Sequence, residues 1–225
     1  MEQKKKANIR AIFSITLIAI IAVVFGLWIQ LHNRPAQATK RPKLTNGSVL
    51  TNAFAPKPFD LASTTGGRFS NAALRGTNHW GLLVFGFTKC KTTCPTTLTE
   101  LKQATRLLTK TKNTIAPQVY FVSIDPERDT IPAIKRYLAH FNKNFIGATG
   151  SPDAIKAMTK NFGAAYAKTK SNNHAEYSIK HSGTVMLMDP KGHWLASINP
   201  PLNARAMAKD IALAQKYFYK LNPRS

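Results

Sequence analysis

Two kinds of residue are scarce in this chain of 225 residues: cysteine and the acidic residues. The only cysteines are Cys90 and Cys94, so no third cysteine follows the apolar N-terminal run, and a lipid anchor on cysteine is excluded. Internal repeats and low-complexity blocks are also missing from the sequence. About 170 residues follow the N-terminal segments, which is the right size for one globular domain.

Acidic residues number 10 against 32 lysines and arginines, and the formal net charge is +22 at pH 7. An excess of this kind is compatible with nucleic-acid binding. The lysines are scattered rather than gathered in one stripe, and an exported protein rarely meets nucleic acid, so we expect no nucleic-acid partner. Anionic lipid headgroups or an acidic protein fit better. A surface that is basic only for solubility is the alternative.

A long apolar run lies near the N-terminus. Residues 1–10 form a basic leader, and residues 11–31 are almost entirely apolar. At about 1.5 Å per residue, a helix of this length spans roughly 30 Å, enough to cross the hydrocarbon core of a membrane. The sequence therefore predicts a transmembrane helix at 11–31 with a cytoplasmic leader. Residues 32–52 are polar and basic and contain Pro35 and Pro42, which is typical of a tether.

A cleaved signal peptide is the alternative to an anchor, because Ala36-Gln37-Ala38 has the pattern of a cleavage site. The apolar run is longer than the usual signal core of about 7–15 residues, which favours an uncleaved anchor. A leader of ten residues leaves no room for an organelle transit peptide. We therefore expect a single-pass protein of the bacterial inner membrane whose C-terminal domain, residues 53–225, lies in the periplasm.

The two cysteines lie between a predicted strand and a predicted helix. Residues 82–87 are typical of a short buried strand, and residues 95–112 of a helix. At a helix N-terminus, backbone N–H groups and the helix dipole stabilise a thiolate, which is both a nucleophile and a soft metal ligand. We therefore expect chemically active thiols at Cys90 and Cys94, rather than a structural disulfide or two small buried hydrophobes.

The rest of the domain alternates strands with helices. Such an alternation predicts an α/β fold in three layers, and active thiols after the first strand–helix turn suggest a thioredoxin-like domain. Strands or hairpins are predicted at 59–69, 118–124, 145–148 and 184–198, and helices at 130–141, 152–162 and 203–221.

Six histidines are available as a third member of the site, and His181 differs from the others by its position. It precedes the predicted strand 184–188, which in a thioredoxin-like domain lies beside the strand that carries the thiols. The loop before that strand usually carries a proline that packs on the disulfide, and here a histidine takes its place. Two thiolates and an imidazole suit copper, especially Cu(I), better than zinc, which requires a fourth ligand.

Three blocks of the sequence resemble the signature blocks of the Sco/SenC copper chaperones. They are Gly86-Phe87-Thr88-x-Cys90-x-x-x-Cys94-Pro95, Val122-Ser123-Ile124-Asp125-Pro126-Glu127-Arg128-Asp129-Thr130, and Tyr177-x-Ile179-x-His181-Ser182. The resemblance covers about residues 59–198. It implies a thioredoxin-like fold and one copper ion, as Cu(I) or Cu(II), bound by Cys90, Cys94 and His181.

The same resemblance implies a function and partners. Copper would be delivered to the dinuclear copper centre of cytochrome c oxidase, so the copper-bearing subunit of the oxidase and a copper donor protein are the implied partners. Members of the family are also described as thiol–disulfide reductases that prepare the cysteines of the recipient subunit. Family members usually carry an acidic residue between the cysteines, whereas this chain has Lys91-Thr92-Thr93, a more positive site that favours thiolate.

Two other functions compete with copper delivery. One is a thiol–disulfide oxidoreductase or thiol peroxidase that uses Cys90 or Cys94 as its nucleophile. The other is a redox or copper sensor that signals to a membrane partner. Of copper delivery and the thiol enzymes, only copper delivery has a use for His181.

Two further groups of residues are expected to be structural. Residues 125–129 contain three of the ten acidic residues and would be compatible with a hard-metal site. We expect instead that they end a strand, form an ion pair and cap the next helix through Asp129 or Thr130. Met186 and Met188 are expected to pack in the core rather than to bind copper.

Overall fold

The computed structural model describes residues 17, 19–29, 40–76, 78–164, 166–170 and 177–223. The chain divides into two units, residues 1–40 and residues 41–225. Residues 17 and 19–29 of the first unit are helical, and their apolar side chains, including Leu27 and Trp28, are exposed.

Within the described residues, no helix is both long enough and apolar enough to cross a membrane. The predicted leader and part of the predicted span at 11–31 lie outside the described residues. The transmembrane anchor and the location in the inner membrane therefore stay predictions.

The second unit contains ten strands and four helices among its described residues. The strands are β1 (Gly47–Phe54), β2 (Asp60–Ser63), β3 (Arg68–Ser70), β4 (Gly81–Gly86), β5 (Gln118–Ser123), β6 (Ile146–Thr149), β7 (Tyr166–Lys170), β8 (Tyr177–His181), β9 (Val185–Met188) and β10 (Trp194–Ile198). The helices are α1 (Thr93–Leu108), α2 (Ile131–Ala139), α3 (Pro152–Asn161) and α4 (Ala204–Leu221), and a short 3-10 helix covers Asn71–Leu74.

Eight strands form one mixed sheet in the order β1-β10-β9-β4-β5-β6-β2-β3, and β7 pairs with β8 as a separate hairpin. Strand β4 runs parallel to β5 and antiparallel to β9. All six residues of β4 are buried, which explains its continuous apolar sequence, because a strand covered on both faces needs no polar alternation. We call the edge of the sheet at the carboxyl ends of β4 and β5 the thiol end, since the cysteines follow β4.

Helices cover both faces of the sheet. Helices α1, α2 and α4 pack on one face through side chains such as Leu101, Leu138 and Ile211. Helix α3 and strand β8 pack on the other face through Met158 and Ile179. The predicted three-layer α/β arrangement is therefore confirmed.

Polar caps fix the starts of three helices. Thr130, Ser151 and Asn203 each accept a hydrogen bond from a backbone N–H in the first turn of the following helix, which satisfies a donor that has no partner within the helix. Gly163 follows α3 with φ of +60°, a conformation that favours glycine. These helix boundaries agree with the predicted ones to within one or two residues.

Strand β1 corrects the predicted start of the domain. It pairs antiparallel with β10, from Gly47 opposite Ile198 to Val49 opposite Ala196, so residues 47–52 belong to the sheet rather than to a tether. The compact unit begins at Arg41 rather than at residue 53. The sequence signal was weak because Val49 is the only buried residue of this strand.

Candidate metal centre

A turn of six residues connects β4 to α1 and carries the first cysteine. The backbone N–H of Cys90 donates to the carbonyl of Phe87 at 3.2 Å, and Cys94 lies in the first turn of α1. The backbone N–H of Cys94 donates to Sγ of Cys90 at 3.3 Å. The two cysteines are not joined by a disulfide, and Cys94 is buried whereas Cys90 is half-buried. The structure thus brings the two predicted cysteines together at a helix N-terminus.

Gly86 leaves room for the Cys94 sulfur. A Cβ atom at this position would lie 2.9 Å from Sγ of Cys94 and 2.6 Å from Cε2 of Phe121. Both distances are shorter than the van der Waals contact distance of the two atoms. The neighbouring side chains would have to move, and the interior around them is closely packed. The glycine at the end of β4 therefore allows the thiol to pack directly on the strand.

The surroundings of Cys94 oppose its ionisation. A hydrogen bond with Cys90, followed by burial, raises the pKa of Cys94 far above that of an ordinary thiol. Burial disfavours the charged form, and a thiol that donates a hydrogen bond is held in its neutral form. In the metal-free chain these two effects act against the thiolate that the helix N-terminus favours, and the active thiols at Cys90 and Cys94 stay a prediction.

A buried carboxylate supports the turn that carries Cys90. Asp129 is fully buried and accepts hydrogen bonds from the backbone N–H of Thr88 at 2.9 Å, the hydroxyl of Thr88 at 2.5 Å and the hydroxyl of Ser123 at 2.6 Å. Its oxygens are thereby satisfied, and the end of β5 is joined to the turn after β4. Of the two predicted caps, Thr130 caps α2, whereas Asp129 holds the thiol turn.

Arg128 joins the end of β5 to the beginning of β8. Its Nε donates to the buried Asp125 at 2.5 Å, and its Nη1 donates to the carbonyl of Tyr177 at 3.1 Å. The guanidinium carbon lies 3.7 Å from the centroid of the Tyr177 ring, a cation–π contact. The Tyr177 hydroxyl donates to Asp125 at 2.5 Å. The predicted ion pair is confirmed, and this loop fixes the first residue of the strand that ends at His181.

His181 is the last residue of β8, where its backbone pairs with Tyr166. The side chain of His181 lies outside the part of the chain that the structure describes. A Cβ atom on Gly183, two residues later, would lie 3.3 Å from Cγ2 of Thr93, and Gly183 lines the same small cavity as Cys94. The backbone that follows His181 therefore passes beside the N-terminus of α1.

Among the described side chains, no three His, Cys, Asp or Glu residues lie close enough together to hold a metal ion. The described part of the site is a pair of sulfur atoms, donors that suit Cu(I), and His181 remains the predicted third ligand. Met186 and Met188 are buried in the apolar cluster on the second face of the sheet. They pack in the core, as predicted.

Sequence reasoning missed two contributors to this site. The role of Asp129 depends on a contact with Thr88, 41 positions away, and Tyr177 reaches Asp125 across 52 positions. Neither contact can be predicted from a local sequence pattern. The signal that was available is composition, because a chain with ten acidic residues places three of them within residues 125–129.

Comparisons with known proteins agree with this geometry. The chain matches the SCO1/SenC family over residues 49–215. It is 28% identical to the mitochondrial SCO2 homolog of Danio rerio over 89% of this chain and 70% of that protein. It is 35% identical to an SCO2-like protein of Rickettsia prowazekii, over 66% of this chain and 71% of that protein.

Solved structures resemble most of this chain. The copper-bound structure of ScoI from Arabidopsis thaliana matches with a TM-score of 0.67 and 28% identity, over 72% of this chain and 98% of that one. The likeness confirms the predicted thioredoxin-like fold.

Proposed function

Because the chain belongs to the SCO1/SenC family, we propose that it is a membrane-anchored copper chaperone. Cys90, Cys94 and His181 bind one copper ion, which the protein delivers to the dinuclear copper centre of cytochrome c oxidase. The observation that carries this proposal is the pair of thiols at the start of α1, where the N–H of Cys94 donates to the Cys90 sulfur at 3.3 Å. A copper-bound relative, ScoI of Arabidopsis thaliana, supports copper as the cargo.

The donor set suits a metal that must be handed on. Two thiolate sulfurs and one imidazole nitrogen form a soft set that Cu(I) prefers and that also binds Cu(II). Three ligands leave a position open, so a ligand of the acceptor subunit can attach before the ligands of the chaperone leave. Cys90 is only half-buried, which makes its side of the site the side from which the acceptor approaches.

Copper binding by these thiols releases protons. The raised pKa of Cys94 keeps its thiol protonated in the metal-free protein, and copper binds the thiolate. Its proton must therefore leave to solvent when copper binds. The copper affinity consequently increases with pH.

The contact between the two cysteines favours a second activity, thiol–disulfide exchange. The Cys90 thiolate attacks a disulfide of the acceptor subunit, which forms a mixed disulfide and releases one acceptor thiolate. The Cys94 thiol then loses its proton to solvent as its sulfur attacks the Cys90 sulfur, which forms the Cys90–Cys94 disulfide and releases the second acceptor thiolate. The acceptor gains two electrons and becomes able to bind copper, whereas the chaperone is oxidised.

We place the protein in the bacterial inner membrane, with a helix at 11–31 as its anchor and the second unit in the periplasm. The basic leader 1–10 and the length of the apolar run support this placement. A reporter that is active only outside the cytoplasm, fused after Ser225, is expected to be active and to remain in the membrane fraction. A soluble mature protein that begins at Thr39 would instead establish cleavage of a signal peptide.

His181→Ala tests the copper assignment. The variant retains both thiols, so we expect copper affinity and oxidase assembly to fall while thiol–disulfide exchange continues. The matched control is His193→Ala, because His193 lies in the turn between β9 and β10 at the opposite end of the sheet. Copper stoichiometry of the purified chain is measured together with oxidase activity in cells that carry only the variant. Wild-type values of both in His181→Ala would overturn the assignment.

A further inference from the structure

The second unit contains a cavity of about 590 Å³ at the end of the sheet opposite the thiols. It is lined by residues that precede β4, β5 and β6 and by the C-terminal half of α1. These three strands are parallel, so their amino ends lie on the same edge, far from the turn that carries Cys90. Trp80, Val119 and Phe145 are buried and give the cavity an apolar floor.

Positive side chains border this cavity. Lys102 and Arg106 line it together with His79, and no carboxylate is among the described residues that line it. Both Lys102 and Arg106 are exposed, and neither forms an ion pair with any residue in the described ranges. The cavity therefore combines an apolar floor with uncompensated positive charge.

The spacing of the two cations is itself unfavourable to the helix. Lys102 and Arg106 stand four residues apart on α1, and like charges at this spacing repel each other. Glu100 is the only acidic residue of α1, and it accepts a hydrogen bond from the backbone N–H of Ala204 at 2.5 Å. Its carboxylate is thus engaged with the start of α4. An anion from solution would relieve the repulsion between Lys102 and Arg106.

Other acidic groups of the unit are also engaged elsewhere. Asp60 pairs with Arg68, and Glu127 pairs with Lys168. Four further carboxylates are buried, those of Asp125, Asp129, Asp189 and Asp210. The protein therefore has few carboxylates of its own that could occupy this cavity.

We propose that this cavity binds an amphiphilic anion that carries a phosphate group. The phosphate lies on Lys102 and Arg106, where a guanidinium offers two parallel donors and an ammonium adds a compact charge. The apolar part of the ligand lies against the half-buried Ala116 and the aliphatic stem of Arg106, above the buried Trp80 and Phe145. The volume falls within the range of about 300–1,000 Å³ that is usual for small-molecule sites. A phospholipid headgroup and a soluble organic phosphate share this chemistry.

Calorimetry on the full chain in uncharged detergent tests the proposal. The probes are inorganic phosphate, phenyl phosphate and a short-chain phosphatidylglycerol. The cavity variant, Lys102→Gln with Arg106→Gln, is compared with a control, Lys110→Gln with Lys112→Gln. The control removes the same amount of charge from residues that follow α1 and do not line the cavity.

We expect the wild type to bind phenyl phosphate or phosphatidylglycerol more tightly than inorganic phosphate, because only those probes carry an apolar group. The cavity variant is expected to bind at least about tenfold more weakly, and the control to bind as the wild type does. Tighter binding of phosphatidylglycerol than of phenyl phosphate would identify a lipid as the source, and the reverse order a soluble phosphate. Copper stoichiometry is expected to be unchanged in the cavity variant, so this test is independent of the proposed chaperone function.

Three results would overturn the proposal. The first is that no probe binds at millimolar concentration. The second is that the cavity variant binds as the wild type does. The third is that the cavity variant and the control lose affinity equally, which would show that net charge and not the cavity attracts the anion.

Discussion

At Gly86, a single hydrogen atom in place of a side chain determines whether the Cys94 sulfur fits. Gly86→Ala would place a Cβ atom 2.6 Å from Cε2 of Phe121 and 2.9 Å from Sγ of Cys94. Both side chains are buried, so neither can move away without displacing other residues. We expect the free energy of unfolding to fall by about 1–3 kcal/mol, as measured by denaturation. Copper stoichiometry is expected to fall with it.

Gly67→Ala is the control for this substitution. No atom lies within 4 Å of a Cβ atom at Gly67, and its φ is not in the left-handed region. We expect its free energy of unfolding to stay within about 0.5 kcal/mol of the wild type. Equal losses in the two variants would show that the contact with Cys94 is not the cause.

Asp129 supports copper binding without touching the metal. Asp129→Asn preserves the shape of the side chain, but only one of its two terminal atoms can accept a hydrogen bond. At least one donor among the Thr88 and Ser123 groups then loses its partner, at a cost of about 1–3 kcal/mol in the free energy of unfolding. We expect copper affinity, measured by competition with a chelator, to fall as the turn before Cys90 loosens.

Asp153→Asn is the matched control, because Asp153 is exposed in the first turn of α3. Its loss removes only a favourable interaction with the helix dipole, worth about 0.3–1 kcal/mol. Unchanged copper affinity in Asp129→Asn would contradict the supporting role that we assign to this carboxylate.

For individual residues, the sequence predicted a role where the chemistry follows from the residue type and its local position. Cys90 and Cys94 were identifiable because they are the only thiols and precede a helix. The protonation state of Cys94 was not predictable from the sequence. It depends on burial and on the hydrogen bond with Cys90, which exist only in the folded chain. The role of Asp129 was not predictable either, because its contacts with Thr88 and Ser123 form only on folding.

At the scale of elements, strand β8 is held by its first residue. Tyr177→Phe preserves the ring that stacks on Arg128 and removes the hydroxyl that donates to Asp125 at 2.5 Å and to Glu127 at 3.1 Å. Because β8 ends at His181, we expect copper affinity to fall several-fold as the strand loosens. The rate of disulfide exchange by Cys90 is expected to stay constant.

Chelator competition and a disulfide-exchange assay on the same preparation measure the two quantities. Tyr217→Phe serves as the control, since Tyr217 lies on α4 in a groove lined by β1 residues. A parallel loss of copper affinity and exchange rate in Tyr177→Phe would mean that the thiols themselves were disturbed. Unchanged copper affinity would show that the Tyr177 hydroxyl does not position β8.

Elements with a strong apolar pattern were predictable, and exposed ones were not. Strands β4 and β5 are continuous apolar runs because both faces of the sheet are covered. Strand β1 carries several exposed polar residues and β7 contains the exposed Lys168, so neither alternation nor an apolar run distinguishes these strands from loop. Their positions follow from pairing with distant strands, β10 and β8, and such pairing leaves little trace in a single sequence.

For the whole molecule, we expect the free energy of unfolding to fall at high pH, and Tyr120 accounts for part of this loss. Burial raises the pKa of Tyr120 from 10.0 to about 12, and its hydroxyl donates to the carbonyl of Ala73 at 2.7 Å. Between pH 10 and 12 the unfolded chain loses this proton while the folded chain retains it, so the free energy of unfolding falls as the pH rises through this window. The contribution that is lost amounts to at most about 2.7 kcal/mol.

Tyr120→Phe has no proton to lose. We expect it to be less stable than the wild type at pH 8, because the hydrogen bond to Ala73 is missing, and to lose less stability between pH 10 and 12. Urea denaturation at several pH values measures both effects. Other buried tyrosines contribute equally to the two proteins and cancel in the difference. Parallel curves for the two proteins would show that Tyr120 does not titrate abnormally.

The sequence predicted the net charge of the molecule but not its distribution. Scattered lysines suggested an evenly basic surface, yet folding buries Asp125, Asp129, Asp189 and Asp210. The surface is therefore more positive than composition alone suggests. Which cations border a cavity depends on the strand order, and a single sequence does not reveal that order.

Strand β1 begins at the thiol end of the second unit, and α4 terminates at the opposite end. The carbonyl of Asn46 accepts a hydrogen bond from the backbone N–H of Asn199 at 2.7 Å, at the thiol end, whereas α4 terminates near the turn before β10, where Lys191 donates to Asn222 at 2.6 Å. An acceptor that docks on Cys90 therefore lies at the end of the sheet opposite the C-terminus of α4. A fluorescent protein or a surface linker joined to the C-terminus leaves that side open, so copper handover can be followed on immobilised molecules without obstructing the docking face.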